Sequence, residues 1–515
     1  MYIFTLMQKN PIHWLKMCAV IIGTVLLAAC GSDDELLPEP SNKNLPAISN
    51  TSKTEVNVTP TLPQKDFRAV WVATVDHIDW PNSMGSTSKI AESQQKYYLR
   101  ILDSLQAHNI NAVMFQIRPM ADAFYDSPYE PWTKYITGRR GKKPSWDPLP
   151  WLISETHKRG IQFHAWMNPY RIATRSGASA SFPDLESTIP AEWVKDYNKV
   201  RIYNPALPEV RQRIADIVAD VLHKFDVDGI HFDDYFYPSL TSGESMNDNA
   251  EYQKYGTGQG IANFRRANVD AMITKVQETI RAIRPNCLFS VSPQGNYDND
   301  YNSMCCDVKK WSQNGMIDVL IPQIYWSTEK YFEPRLKQFS AFCTKSHFMV
   351  GYGLYRFSGQ ATDPYYKTSD DLKKQFSIAY ADKNVEGAIF YSTKWLMSNP
   401  VKTNEAIKEQ FNTLLLPPYL GVTPMVQPEA PQNVKADGLK LSWEAVSNCY
   451  YAVYRCNATD NTASIVQITY DTTVDVPENG NYFVTAVTKG LNAESKISTI
   501  VNCDKSTSGI HDITM

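Results

Sequence analysis

An excess of charge of either sign is lacking in this sequence. Lysine and arginine together number 51, against 54 aspartates and glutamates, for a net charge of -3. A chain without a basic field has little electrostatic hold on a phosphate backbone, which argues against a nucleic-acid or polyanion binder. Cysteines at metal-binding spacing are missing too. Once Cys18 and Cys30 are set apart, Cys287, Cys305, Cys306, Cys343, Cys449, Cys456 and Cys503 remain. None forms a C-x-x-C pair or a Cys/His cluster, so no structural zinc is expected. Their odd number excludes a complete pairing within the chain. They read as mostly buried thiols, with an occasional disulfide in an oxidising compartment. Histidines are too sparse for a dimetal hydrolase site, and neither a metal nor another cofactor is expected. A glycine-rich phosphate turn is also absent. After the first apolar strand stands Asp76-His77-Ile78-Asp79-Trp80-Pro81, which excludes a dinucleotide-binding sheet.

Long apolar runs are equally rare. The one at the start, Met17 to Ala29, follows Lys9 and Lys16 and is too short for a stable membrane span. Residues 1–29 read as a targeting segment rather than part of the fold. The run ends Leu27-Ala28-Ala29-Cys30, which resembles the bacterial lipobox. That resemblance implies a lipid on Cys30, a mature chain beginning there, and an outer-membrane lipoprotein of the cell envelope. Ser32-Asp33-Asp34-Glu35 resembles the acidic export signal of surface-exposed lipoproteins, an alternative to a periplasm-facing anchor. Residues 30–65 are polar and rich in Ser, Asn, Thr and Pro, the composition of a disordered tether.

From residue 66 to about 418 the chain alternates apolar strands with amphipathic helical stretches. Strands are expected at Arg68–Val75, Ala112–Ile117, Phe163–Met167, Gly229–Phe232, Leu288–Ser292, Val319–Trp326, Phe348–Tyr355 and Gly387–Ser392. Helical periods fall at Ser93–His108, Pro150–Arg159, Pro208–Phe225, Ile261–Ile283, Asp370–Ala381 and Glu405–Leu415. Eight strands alternating with helices over roughly 350 residues indicate an α/β fold, a (β/α)8 barrel of the TIM type.

The stretch Gly229-Ile230-His231-Phe232-Asp233-Asp234-Tyr235 organises the chemistry. An apolar strand ending in acids fits a barrel whose catalytic groups sit at the C-terminal strand tips. Alternation of side chains puts Asp233 in phase with His231 and Tyr235. Asp233 is therefore expected to face substrate as nucleophile or general acid, and Asp234 to orient a neighbour or cap the next helix. Glycoside hydrolysis needs a second carboxyl. Glu130, then Asp76, then Asp122 are the candidates. Glu130 leads because Tyr129, Pro131 and Trp132 crowd it with apolar surface, which raises a carboxyl pKa. The other tips offer amides, an arginine and aromatic rings, which suit sugar hydroxyls and sugar C–H faces. Arg118, Asn168, Gln294 and Gln323 are candidate hydroxyl ligands. Trp80, Trp132, Trp166, Tyr235, Tyr237 and Trp326 are candidate platforms, with Tyr325 and Tyr355 beside them. His164 and His231 fit core positions as well as they fit substrate contacts.

Taken together, Arg68–Pro81, Phe115–Phe124, Glu130–Trp132, His164–Arg171 and Gly229–Pro238 resemble the bacterial glycosyl hydrolase-like 10 domain family. The resemblance implies a (β/α)8 protein acting on glycans, in some members on denuded peptidoglycan strands. The strand ending at Asp233 is also similar to the nucleophile strand of the alpha-amylase superfamily, with His231 where that pattern has arginine. The next strand departs from it: Ser292-Pro293-Gln294 stands where an acid glutamate belongs. A hydrolase of a polymeric glycan, from peptidoglycan strands to another envelope or dietary polysaccharide, is the expected activity. A glycan-binding surface lipoprotein on a barrel that has lost catalysis is the alternative. A monomer with no nucleic-acid partner is expected.

Pro417-Pro418 closes the barrel region, and residues 419–430 form a proline-bearing linker. Residues 431–504 change to short alternating strands and resemble a fibronectin type III sandwich, with Trp443 in its core and Tyr482 as its tyrosine corner. The tail, 505–515, is short and polar.

Overall fold

The computed structural model describes residues 59–256, 258–457 and 459–507. The targeting segment, Cys30 and most of the tether lie outside the described residues, so the lipidation expected at Cys30 does too. No helix among the described residues is long and apolar enough to cross a membrane.

Eight parallel strands close into a barrel: β1 (Phe67–Val72), β2 (Ala112–Arg118), β3 (Gln162–Met167), β4 (Gly229–Phe232), β5 (Leu288–Val291), β6 (Val319–Leu320), β7 (His347–Gly353) and β8 (Val385–Tyr391). Closure comes from β1 pairing with β2 on one side and β8 on the other. Strand alternation sorts the side chains into two cores. On β1, Phe67, Ala69 and Trp71 point inward, to a cluster with Met114, Ile321, Met349 and Ile389. Val70 and Val72 point outward, to a larger cluster beneath the helices. Helix α1 (Ser88–Gln106) shows how that layer forms. Its buried residues Ala91, Gln94, Tyr98, Ile101, Leu102 and Leu105 recur every three or four positions, which makes one apolar stripe. The Thr87 side chain accepts the Ile90 N–H and caps its start.

Two strands, β1 and β6, end well short of their apolar runs, each for a local reason. β1 stops at Val72 because the Gln116 carboxamide oxygen takes the Thr74 and Val75 N–H groups, both at 2.9 Å. β6 is reduced to Val319–Leu320 because Pro322 has no N–H for the ladder. β4 stops at Phe232, just before the two aspartates. Between β3 and helix Pro208–Lys224 lies a small antiparallel sheet that the periodicity does not announce. It is built from Arg171–Thr174, Val200–Tyr203 and Val194–Asp196, and it extends one wall of the barrel mouth.

The C-terminal strands are β9 (Lys435–Asp437), β10 (Lys440–Ser442), β11 (Cys449–Cys456), β12 (Ala463–Thr469), β13 (Thr473–Asp475), β14 (Gly480–Thr488) and β15 (Val501–Cys503). They form two antiparallel sheets, ordered β9-β10-β13 and β12-β11-β14-β15. Trp443 is buried and meets the Tyr451 ring edge-on at 5.3 Å. The Tyr482 hydroxyl donates to the Glu478 carbonyl at 2.7 Å. The described cysteines are all free thiols.

These sheets pack on the N-terminal end of the barrel. Asp228, just before β4, is the centre of the contact. Its carboxylate accepts from the Phe163 N–H at 2.8 Å, from His157 Nε2 at 2.9 Å and from the Tyr470 hydroxyl at 3.3 Å. Burial works against its charge, but His157, His164 and the Phe163 N–H hold the pKa below the ordinary carboxylate value. The Tyr470 ring also stacks on His157 at 4.1 Å. Gln162 donates to Asn492 at 2.6 Å, and Leu420 and Leu491 close the barrel's inner cluster from below. At Gly490 the backbone is left-handed (φ 75°), and a Cβ would lie 1.9 Å from the Asn286 carbonyl. Gly490→Ala is therefore expected to cost about 2 kcal/mol or more through backbone strain and overlap. Thermal unfolding followed by circular dichroism will show it as a lowered midpoint, with barrel and sheets unfolding in one transition.

Candidate active site

The strand tips enclose a cavity of about 390 Å³ at the C-terminal mouth of the barrel. Trp71 and Trp166 form its floor; Tyr325, Tyr355, Tyr391 and Tyr235 stand around it; Asp233 and Asp234 enter from one side. Two glycines make room for the rings. A Cβ on Gly351 would come within 3.1 Å of the Trp71 ring, and one on Gly353 within 2.9 Å of the Tyr325 ring. The peptide between Tyr391 and Ser392 is cis. Asp79 ties this corner together: it accepts from Ser392 Oγ and the Lys394 N–H at 2.7 Å each, and from the Ala73 N–H at 2.6 Å.

Asp233 and Asp234 both line the cavity. The expectation that Asp234 would turn away assumed strand alternation, and the strand has already ended at Phe232. Asn168 Nδ2 donates to both oxygens of Asp233, at 3.0 and 3.3 Å. Asn168 is itself oriented, because its Oδ1 accepts the Arg171 N–H at 2.9 Å. Burial and the neighbouring Asp234 charge push the Asp233 pKa up to about 7, against the opposing pull of Arg171. Asp234 is also raised by burial, with its own backbone N–H and the Gln323 and Gln294 side chains offsetting part of it. Two carboxyls this close titrate as a pair that keeps one proton toward neutral pH.

Beneath them His231 is locked in one state. The indole N–H of Trp71 can only donate, and it meets His231 Nε2 at 3.0 Å. The ring proton therefore sits on Nδ1, which donates to Ser290 Oγ at 2.8 Å. Burial lowers the His231 pKa to about 3, so the ring stays neutral. His231 is thus the support of Trp71, beneath the cavity rather than on its wall.

Of the residues singled out from the sequence, Asp76, Trp166, Asp233, Asp234, Tyr235, Gln323, Tyr325 and Tyr355 line the cavity. Asp76 sits exposed at the rim with left-handed backbone (φ 51°), and one carboxylate oxygen accepts from the Tyr135 hydroxyl at 3.0 Å. Gln294 stands beside Asp234, and Asn168 acts through Asp233.

The others lie elsewhere. Glu130 is buried in a two-point ion pair with Arg118, at 2.7 and 2.5 Å. Its apolar neighbours do not leave it unpaired, because the guanidinium arrives from β2. Arg118 spends its remaining N–H groups on the Asn168 and Pro169 carbonyls. It braces the β3 tip instead of binding sugar. Asp122 is buried, capping the Met120 N–H at 3.0 Å, with Arg140 at 3.5 Å. Trp80 is fully buried among Tyr98, Phe115 and Phe124, with its N–H on the Gln94 carbonyl. Trp132 is buried off the cavity, and Trp326 lies under the Arg335 guanidinium. Tyr237, also considered as a platform, is fully buried in the outer core. His164 is in the bottom layer of the barrel, edge-on to Phe67. It fills the space that only glycine leaves at position 229, where a Cβ would lie 2.3 Å from its ring.

Among the cavity residues that went unrecognised in the sequence are Trp71, Gln116 and Arg171. The signal for Trp71 was its inward phase between Ala69 and Ala73, small neighbours that leave a ring room. For Gln116 it was an amide inside an apolar strand. Arg171 lies beyond its strand tip, on the inserted sheet, where no periodicity points to the mouth. Among the described residues, no group of three or more His, Cys, Asp or Glu side chains is placed to hold a metal ion.

A closed parallel barrel with paired carboxyls and aromatic walls at its C-terminal mouth has the plan of a glycoside hydrolase. The particular family follows from comparison: the glycosyl hydrolase-like 10 model matches residues 66–375, and the chain belongs to that family. It is 31% identical over 482 residues to glycosyl hydrolase YngK of Bacillus subtilis (strain 168), spanning 84% of this chain and 92% of that protein. It is 31% identical over 441 residues to glycosyl hydrolase DigH of Escherichia coli (strain K12), spanning 78% and 97%. Among solved structures, the PgaB (BpsB) glycoside hydrolase domain from Bordetella bronchiseptica aligns with 69% of this chain and 99% of its own, at a TM-score of 0.46 and 13% identity.

Two predictions separate support from chemistry. Glu130→Gln removes one partner of a buried ion pair and is expected to cost about 3–5 kcal/mol of stability. The pH profile of whatever folded enzyme remains should be unchanged. Asp233→Asn should do the opposite. A carboxyl whose pKa rises from 3.8 to about 7 on folding favours the folded state at low pH, and that contribution is lost as pH climbs between those values. The variant should melt above the parent near pH 8 and show no gain near pH 4.

Proposed function

We propose that the protein hydrolyses glycosidic bonds within a polymeric glycan, using the Asp233–Asp234 pair. The observation that carries this reading is the placing of two buried carboxyls, one with a pKa near neutrality, in an aromatic-walled cavity at the barrel mouth. A carboxyl poised near the working pH can give a proton to a leaving oxygen and take one back from water. The Trp71 and Trp166 rings line the cavity floor and present apolar surface to sugar C–H groups. Tyr235 and Tyr355 stand 46% and 38% exposed at the rim. They suit sugars on either side of the bond to be cut, as in a chain rather than a monosaccharide. Peptidoglycan glycan strands or another envelope or dietary polysaccharide are the substrates this reading favours. The lipobox-like run ending at Cys30 supports a lipid-anchored place in the cell envelope. The three-plus-four arrangement of the C-terminal sheets, with Trp443 and Tyr482 as described, supports a fibronectin type III-like module that seals the barrel's closed end.

The missing glutamate at the β5 tip favours the second reading, a glycan-binding protein without catalysis. Release of reducing ends from purified peptide-free glycan strands decides between them. Asp233→Asn and Asp234→Asn are each expected to lower kcat by about 10²–10⁴-fold with KM changed little. In the parent, activity should fall as pH rises past about 7, as the proton leaves the pair. Strands that bind the parent and Asp233→Asn equally, with no ends released by either, would establish the binding reading instead.

A further inference from the structure

The two carboxyls occupy consecutive positions on one strand tip. Direct displacement by an enzyme carboxylate needs two groups flanking the bond, about 5–5.5 Å apart for retention and about 6.5–9.5 Å for inversion. Asp233 and Asp234 approach a sugar from the same wall. Tyr391, on β8, stands across the barrel from them, Trp71 lies on the floor, Gln116 enters from β2, and the β5 tip contributes Ser292. Asp76, the remaining carboxylate on the lining, is out at the rim and engaged by Tyr135. Among the described residues, no other carboxylate lines the cavity to attack the anomeric carbon from the face opposite the leaving oxygen.

The cavity also holds polar atoms awaiting a partner. The Tyr325 hydroxyl and Gln116 Nε2 are buried and make no hydrogen bond. Gln116 is fixed, since its oxygen is spent on the Thr74 and Val75 N–H groups. Tyr325 shares the cavity lining with Asp234 and is in ring contact with Tyr391 at 6.1 Å. A hydrogen-bond donor, a carboxylate acceptor and an aromatic wall together match a small group with a carbonyl, an N–H and a methyl. A sugar carries such a group when its 2-position is acetamido.

We propose that the bond is broken with the substrate's own 2-acetamido group as nucleophile, its carbonyl guided by Tyr325, its N–H held by Asp234, and Asp233 serving as the acid. This rests on the glycoside hydrolase reading above. In the first step the bond from C1 to the leaving oxygen breaks, and that oxygen takes the Asp233 proton. The acetamido oxygen bonds to C1, forming a cyclic oxazolinium ion whose N–H faces the Asp234 carboxylate. In the second step Asp233, now a carboxylate, takes a proton from water. The hydroxide bonds to C1 on the face the leaving group vacated, and the C1–acetamido bond breaks. One water is consumed, Asp233 recovers its proton, and the anomeric configuration is retained.

The test compares peptide-free glycan strands with the same strands after chemical de-N-acetylation, and chitin oligosaccharides with cellulose oligosaccharides of equal length. The purified protein should cut at least one N-acetylated chain, and the counterpart lacking the acetamido group at least about 100-fold more slowly. NMR of the new end should show retention, and a thiazoline analogue of the cyclic intermediate should inhibit competitively. Tyr325→Phe should lower kcat about 10-fold on the N-acetylated chain without changing the pH profile. Comparable cutting of 2-hydroxy chains, inversion, or a covalent adduct with a 2-fluoro sugar would overturn the proposal and leave the hydrolase reading standing. Failure to cut any chain would overturn both. The substrate comparison needs no variant, so a misfolded mutant cannot obscure it.

Discussion

The amide of Asn168, donating to both oxygens of Asp233, is the bond on which the mouth of this barrel depends. Burying two adjacent carboxyls is unfavourable, and only fixed donors make it tolerable. Asn168 is fixed in turn. The Arg171 N–H holds its side chain, and the Arg118 guanidinium holds its carbonyl. Arg118 is anchored by Glu130. A buried ion pair therefore reaches the Asp233 carboxyl through one asparagine. It works by position, because the charges on Arg118 and Glu130 satisfy each other.

The two ends of the barrel carry opposite burdens. At the C-terminal end, Asp233 and Asp234 sit with raised pKa values, Tyr325 and Gln116 have unmet donors, and Asp76 is in left-handed backbone. Such features lower stability and recur where chemistry is done. At the N-terminal end, Asp228 has every oxygen satisfied and a lowered pKa. The C-terminal sheets seal that end through Tyr470, Asn492 and Leu491. Stability gathered at the closed end offsets strain held at the open one.

The eight strands and the longest helices were legible in the sequence, because burial on a fixed side repeats every two or every three to four residues. Asp233 at a strand tip was legible for the same reason. The inserted sheet at Arg171–Thr174 was not, since its short strands carry no period of their own. Glu130 and Trp132 looked like site residues because apolar neighbours surround them. That crowding belongs to a buried ion pair and a buried ring. Crowding in sequence does not say which long-range partner arrives, and Arg118 comes from a different element.

By itself the sequence determined the closed alternation of strands and helices, the change of pattern after Pro417-Pro418, and the acidic tip after Phe232. Each depends on local spacing and local chemistry. Tertiary structure alone decided that Asp234 joins Asp233 in the cavity, that Trp71 is the floor and His231 its support, and that Arg118 and Glu130 neutralise each other. It also decided that the C-terminal sheets close the far end. These outcomes turn on where a strand stops and which distant side chains meet, and neither is encoded in the order of neighbours along the chain.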